Sequence, residues 1–207
     1  MGLKKLLLLL FIASALVAQA DKTSKDGYSM RFAYGKSTSS DLGSDIIGDV
    51  ASDVANLYVY DLDGGYLLQK NLLNMPIDLY AKGSLSYYDE GSYKDAYGAD
   101  VYIKAYWNFD FLQNRVRFGF GEGISYTSRT LTTEAKDAAV SQDNTSKFLN
   151  YLDISLDFDL GKLVRYAPLH ETYVGILVKH RSGIFGLINN VKHGGSNYNT
   201  LYIEKNF

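Results

Sequence analysis

One group of side chains in this sequence is able to do covalent chemistry together, and it begins at His180. That residue stands two positions before Ser182 in the segment Tyr173–Ser182. Residues two apart on a strand share a face, so an extended segment sets imidazole and hydroxyl side by side. There the imidazole can take the hydroxyl proton as the oxygen attacks an ester carbonyl. A bare His-x-Ser pair arises often by chance, and alone it reads as polar residues meeting lipid headgroups. Asn197 changes that weighting. Counting back from Phe207, one face carries Lys205, Ile203, Leu201, Asn199 and Asn197, and a hairpin returns Asn197 to the level of His180. A side-chain amide there can hold the ring in its reactive tautomer, as in Cys-His-Asn enzymes. Glu204 has the opposite parity and is rejected as the third member. His170 falls in an expected turn and His193 in a glycine-rich loop, where both are expected to be solvated.

These residues need strands to position them, and the chain supplies a repeating strand pattern. From Ala99 to Asp110 the odd positions are Ala99, Val101, Ile103, Ala105, Trp107 and Phe109. The even positions are Asp100, Tyr102, Lys104, Tyr106, Asn108 and Asp110, so one face is apolar and the other polar or tyrosine-rich. The same alternation recurs in Pro76–Leu85 and Leu149–Leu160. About eight such segments are expected: Tyr28–Lys36, Val54–Leu62, Pro76–Tyr88, Tyr97–Asp110, Arg115–Thr130, Phe148–Leu160, Thr172–Ser182 and Asn197–Phe207. In the second, Asp63-Gly64-Gly65 reads as a turn or a bulge. Polar and mostly long loops at roughly 37–53, 89–96, 131–147 and 183–196 alternate with shorter turns, as in outer-membrane barrels. The chain also closes an alternating segment on an aromatic, Phe207. The expected fold is all-β, an eight-stranded antiparallel transmembrane β-barrel over residues 21–207. Its interior would be filled by its own side chains, which argues against a diffusion pore and places function on the outer wall or in the loops.

Val174, Ile176 and Val178 mark the lipid-facing side of the seventh segment, so His180 and Ser182 continue that wall at the level of the outer leaflet. Polar groups on a lipid face cost free energy unless they are used or paired. Glu122 has lipid-facing parity too, but the surrounding glycines could bulge the strand and reverse it, so no role is assigned to it.

Residues 1–20 read as an export address. Lys4 and Lys5 precede an apolar run from Leu6 to Val17, and Ala18-Gln19-Ala20 is a small-residue cleavage pattern. The run is shorter than the ~20 residues that a membrane helix needs. Without Lys4 and Lys5 the formal charge goes from −2 to −4, and no basic field points to nucleic acid. With no cysteine, neither disulfides nor a thiol nucleophile are available. The 18 Tyr and 19 Gly against 2 Pro favour strands and tight bends. The Asp and Asn residues of the loops show no ligand spacing, so no metal is expected.

Val174-Gly175-Ile176-Leu177-Val178-Lys179-His180-Arg181-Ser182, then Gly194-Gly195-Ser196-Asn197 and the closing segment, resembles the lipid A deacylases of the PagL type. Phe118-Gly119-Phe120-Gly121-Glu122-Gly123-Ile124 is also similar to a strand of that family. The resemblance implies an eight-stranded outer-membrane barrel that hydrolyses an ester-linked acyl chain of lipid A, the lipid of lipopolysaccharide. Ser182 and His180 match the family's His-x-Ser pair, and its acidic third residue aligns with Asn197. The family's Asn after the nucleophile, a candidate oxyanion donor, is Gly183 here, whose backbone N–H remains available to donate. The departures fit a divergent branch or a barrel whose site has decayed, and they suggest that Asn197→Asp raises activity.

The reading is therefore a cofactor-free serine esterase of the bacterial outer membrane with long loops at the cell surface, acting on lipid A and bearing Ser182, His180, Asn197 and Gly183. The rival from another class is a non-enzymatic surface barrel whose loops bind a partner. An acyltransferase or phospholipase using the same nucleophile is the enzymatic rival.

Overall fold

The computed structural model describes residues 27–48, 56–184, 186–192 and 195–207. The proposed export segment, His193 and Gly194 lie outside them. Eight antiparallel strands close into a barrel in sequence order, each paired with its chain neighbours and β8 with β1. They are β1 (Tyr28–Thr38), β2 (Tyr58–Gln69), β3 (Ile77–Asp89), β4 (Ala96–Phe111), β5 (Asn114–Thr127), β6 (Phe148–Asp159), β7 (Thr172–Ser182) and β8 (Gly195–Asn206). Among the described residues three short α-helices sit in the connections: α1 (Leu42–Ile47), α2 (Thr132–Ser141) and α3 (Leu160–Leu163).

The alternation turns the barrel inside out relative to a soluble one. Val101, Phe120, Ile176 and Leu201 stand exposed on the outer wall, Leu201 at 68%, while Asp100, Tyr102, Leu177, Thr200 and Tyr202 beside them face inward and are buried. The interior is ionic. Arg31 bridges Asp153 at 2.7 Å and Asp63 at 3.3 Å, Lys82 bridges Glu204 at 2.6 Å and Asp63 at 2.9 Å, and Arg117 bridges Asp157 and Glu204. Lys179 joins Asp61 at 3.0 Å and Asp100 at 2.5 Å. Buried charges persist only when paired and hydrogen-bonded, and here cations and anions from different strands meet across a plugged lumen. Glu204, rejected above as a site residue, belongs to this network.

The second strand departs from expectation. Gly64 and Gly65 lie within β2, opposite Met30 and Ser29, and the strand runs on to Gln69. Pairing to β1 overrides the turn tendency of Asp63-Gly64-Gly65, because Asp63 points inward to Arg31 and Lys82. A Cβ on Gly65 would stand 2.4 Å from Ser29 Oγ, so glycine lets the strands close there. Of the expected start of this strand, residues 54–55 lie outside the described residues. The register irregularity falls later, between Leu67 and Gln69.

Connections at the two ends differ as expected, with one addition. β4 and β5 are joined through Leu112 and Gln113, both at positive φ, whereas β6 and β7 are joined at that same end by a longer link containing α3. His170 lies in this link, exposed, with its carbonyl accepting from Lys205 Nζ. At the opposite end, α2 folds against the barrel mouth. Its Glu134 Oε1 accepts from Arg181 Nη1 at 2.8 Å and from Ser196 Oγ at 3.0 Å, and so ties β7 to β8.

Candidate active site

His180, Ser182 and Asn197 occupy the loop-bearing end of the outer wall. The β7–β8 register pairs His180 with Asn197 and Ser182 with Gly195. Their parity is that of Ile176 and Leu201, as the alternation requires. Yet Asn197 is only 7% exposed, because the β1–β2 connection lies over it.

That cover decides the chemistry of the ring. Asn197 Nδ2 donates to the Ser40 carbonyl at 2.8 Å, which leaves Oδ1 to face His180 Nδ1 at 2.5 Å. An amide oxygen only accepts, so Nδ1 carries the proton and Nε2 of the neutral ring keeps its lone pair. This is the tautomer a general base requires. Ser182 and His180 share a cavity of about 780 Å³ with Asn197, Gly183 and Gly195. No hydrogen bond joins Ser182 Oγ to His180 among the described residues. Their Cα atoms are roughly 6.7 Å apart on an ideal strand, within reach of rotamer changes at both side chains. Such contacts are often long in unliganded enzymes.

Gly183 lines the same cavity directly after Ser182. A Cβ here would stand 2.1 Å from the Val191 carbonyl oxygen and 2.5 Å from Val191 Cβ. The returning loop thus leaves no room for a side-chain amide at this position.

Residues that the sequence reading left aside complete the patch. β5 keeps an unbroken register with β4 and β6 from Val116 to Tyr126, so its glycines do not reverse parity and Glu122 faces outward. Those glycines instead make room inside: a Cβ on Gly121 would meet the Tyr102 ring at 2.9 Å. Asn150 lies opposite Ser182. In the amide orientation that satisfies both groups, its nitrogen donates to Glu122 Oε1 at 2.9 Å and to the Gly123 carbonyl at 3.0 Å. Extending the Leu152–Ile154–Leu156 parity one step back would have found Asn150. Nothing in the sequence singles out Ser40, which acts through its backbone carbonyl. Lys136 and Asp137 of α2, Lys192, and residues 38–43 form the remaining rim of the cavity.

An apolar outer wall around a charged, filled lumen is a transmembrane arrangement. The fold is that of an outer-membrane β-barrel. Among solved structures, the chain is similar to the crystal structure of the outer membrane enzyme PagL, with 13% identity, a TM-score of 0.57, and coverage of 86% of this chain and 98% of that one. It is also similar to Neisserial surface protein A, with 15% identity, a TM-score of 0.51, and coverage of 87% and 96%. At these identities the likeness establishes the shared barrel. No protein-family model and no curated protein matches the sequence.

Proposed function

We propose that the protein is an outer-membrane serine esterase that removes an ester-linked acyl chain from lipid A. The observation that carries this reading is the ring of His180, held by Asn197 in its base-competent tautomer, on the lipid-facing wall in one cavity with Ser182. A surface-binding barrel needs no such arrangement. In the proposed reaction Ser182 Oγ attacks the ester carbonyl carbon while His180 Nε2 takes the hydroxyl proton. The imidazolium keeps its Nδ1–H bond to Asn197 Oδ1, and the Gly183 N–H is the candidate donor to the oxyanion. As the tetrahedral adduct collapses, the sugar hydroxyl leaves with the proton from Nε2. Water then cleaves the acyl-serine by the same route, releasing the fatty acid and restoring Ser182. Every step uses groups of this chain and water, so no cofactor is required.

The location supports a lipid substrate. The cavity opens beside Leu152 and Ile184 and is rimmed by Lys136 and Lys192, a combination suited to an acyl chain beneath an anionic headgroup. Residues 1–20 are proposed as the cleaved export signal that delivers the barrel to the outer membrane, with the long loops at the cell surface. Mass spectrometry of lipid A from cells expressing the protein or its Ser182→Ala variant tests the reading. Loss of one acyl chain only with the unmodified protein is the expected result. Identical profiles in a membrane that contains folded barrel would favour a non-enzymatic surface protein.

A further inference from the structure

We propose that Asp45, carried over the outer wall by α1, is a positioning residue that supplies the negative charge balancing the His180 imidazolium. The proposal deepens the esterase reading and rests on it. Asn197 is neutral, so it orients the ring without compensating the charge that appears when the Ser182 proton is taken. Asp45 stands where that charge is needed. It lies in a surface connection, yet it is only 5% exposed. Its Oδ1 accepts from Thr38 Oγ1 at 2.9 Å and from Asn199 Nδ2 at 3.2 Å. Thr38 is the register partner of Asn197 on β1, and Asn199 is the next outward residue of β8, opposite Val178. These bonds tie the carboxylate to β1 and β8, beside the Asn197 that holds the His180 ring.

The second oxygen completes the argument. Asp45 Oδ2 is buried and has no hydrogen-bond donor among the described residues. A carboxylate oxygen left so is costly, and a nearby cation relieves that cost. Asp45 and His180 interact electrostatically across the cover. Burial pushes the Asp45 carboxyl upward, against the hydrogen bonds from Thr38 and Asn199 that favour its charged form. The attraction becomes strong only when the ring is protonated, so it favours the transition state over the resting state. The other charged groups near this patch are Asp41 on the same connection, Lys36, opposite Asn199 on β1, Glu122, opposite Leu152 on β6, and Lys136, Asp137 and Lys192 on the rim of the cavity. The same connection therefore does two tasks: Ser40 fixes the orientation of the Asn197 amide, and Asp45 provides the charge.

Asp45→Asn isolates the second task, because an amide oxygen still accepts from Thr38 and Asn199. The test uses the full chain folded in detergent micelles with isotope-labelled histidine, and heat-modifiable migration verifies folding. The NMR titration midpoint of His180 is expected to move to lower pH by about half a unit or more, as for loss of a nearby opposite charge, while that of His170 stays in place. Release of fatty acid from lipid A should fall roughly tenfold, equivalent to about 1.4 kcal/mol in barrier. Asp45→Ser carries the same expectation and serves if the amide variant does not fold. An unmoved His180 midpoint in a folded charge-removing variant overturns the proposal. A moved midpoint in a protein that never cleaves lipid A supports the electrostatic coupling and refutes the esterase reading instead, so the two failures are distinguishable.

Discussion

Asn197→Ala measures what the orienting amide contributes. The substitution removes Oδ1, which meets His180 Nδ1 at 2.5 Å, and Nδ2, which donates to Ser40 at 2.8 Å. A neutral hydrogen bond is worth about 1 kcal/mol net and one to a charged group about 1.5–3 kcal/mol. The Nδ1–H bond is of the first kind at rest and of the second once the ring is protonated. Its transition-state-specific part is therefore about 1 kcal/mol. Freeing the ring to populate both tautomers and to leave the cavity wall adds a cost of similar size. The sum is about 2 kcal/mol, or roughly a thirtyfold loss in kcat. Losing the tie to Ser40 costs about 1 kcal/mol more in the cover but leaves the barrel ladder intact. The assay is the initial rate of fatty acid release by purified protein in mixed micelles, measured by mass spectrometry with substrate in excess. A variant within twofold of the unmodified protein would refute the orienting role. A variant as inactive as Ser182→Ala would show that Asn197 does more than orient.

Ser182→Ala and His180→Ala should each abolish cleavage while the folded, heat-modifiable barrel remains, since both side chains lie outside the core. The double variant should be scarcely worse than either single one, because nucleophile and base act as a unit; an additive loss would separate them. Asn197→Asp is expected to be less active than the unmodified protein, contrary to what the resemblance suggests. The new carboxylate would lose the donation to Ser40, set an oxygen against its carbonyl, and add a second negative charge beside Asp45. A rate above that of the unmodified protein would refute this. Arg31→Ala removes one of the two cations from Asp63 and from Asp153, which keep Lys82 and Lys104, and should destabilise the barrel by about 1.5–3 kcal/mol. A lower denaturant midpoint for loss of the heat-modifiable form is the readout, and an unchanged midpoint would show that the interior network is not cooperative.

The sequence by itself determined the barrel and the identity of its two faces. Side chains alternate on a strand, so the parity that puts Val174, Ile176 and Val178 on the wall also commits Lys179 and Arg181 to the interior and His180 and Ser182 to the outside. Counting in from Phe207 brought Asn197 to the same level, and β7 kept its expected ends from Thr172 to Ser182. The second strand was misjudged, because the Gly64-Gly65 signal is local and the pairing with β1 that overrides it is not. The charges of the interior were legible as polar positions, but their partners were not: Lys82 and Glu204 are bonded across the lumen, and no one-dimensional pattern links them. The same limit governs the site. His-x-Ser is a local pattern and could be read. The tautomer of His180 depends on a carbonyl at Ser40 and the proposed charge balance on a carboxylate at Asp45, both carried there by a connection whose fold depends on where β1, β7 and β8 meet. Residues joined by strand periodicity are fixed by sequence, whereas residues joined only by the path of a loop are decided by the closed barrel.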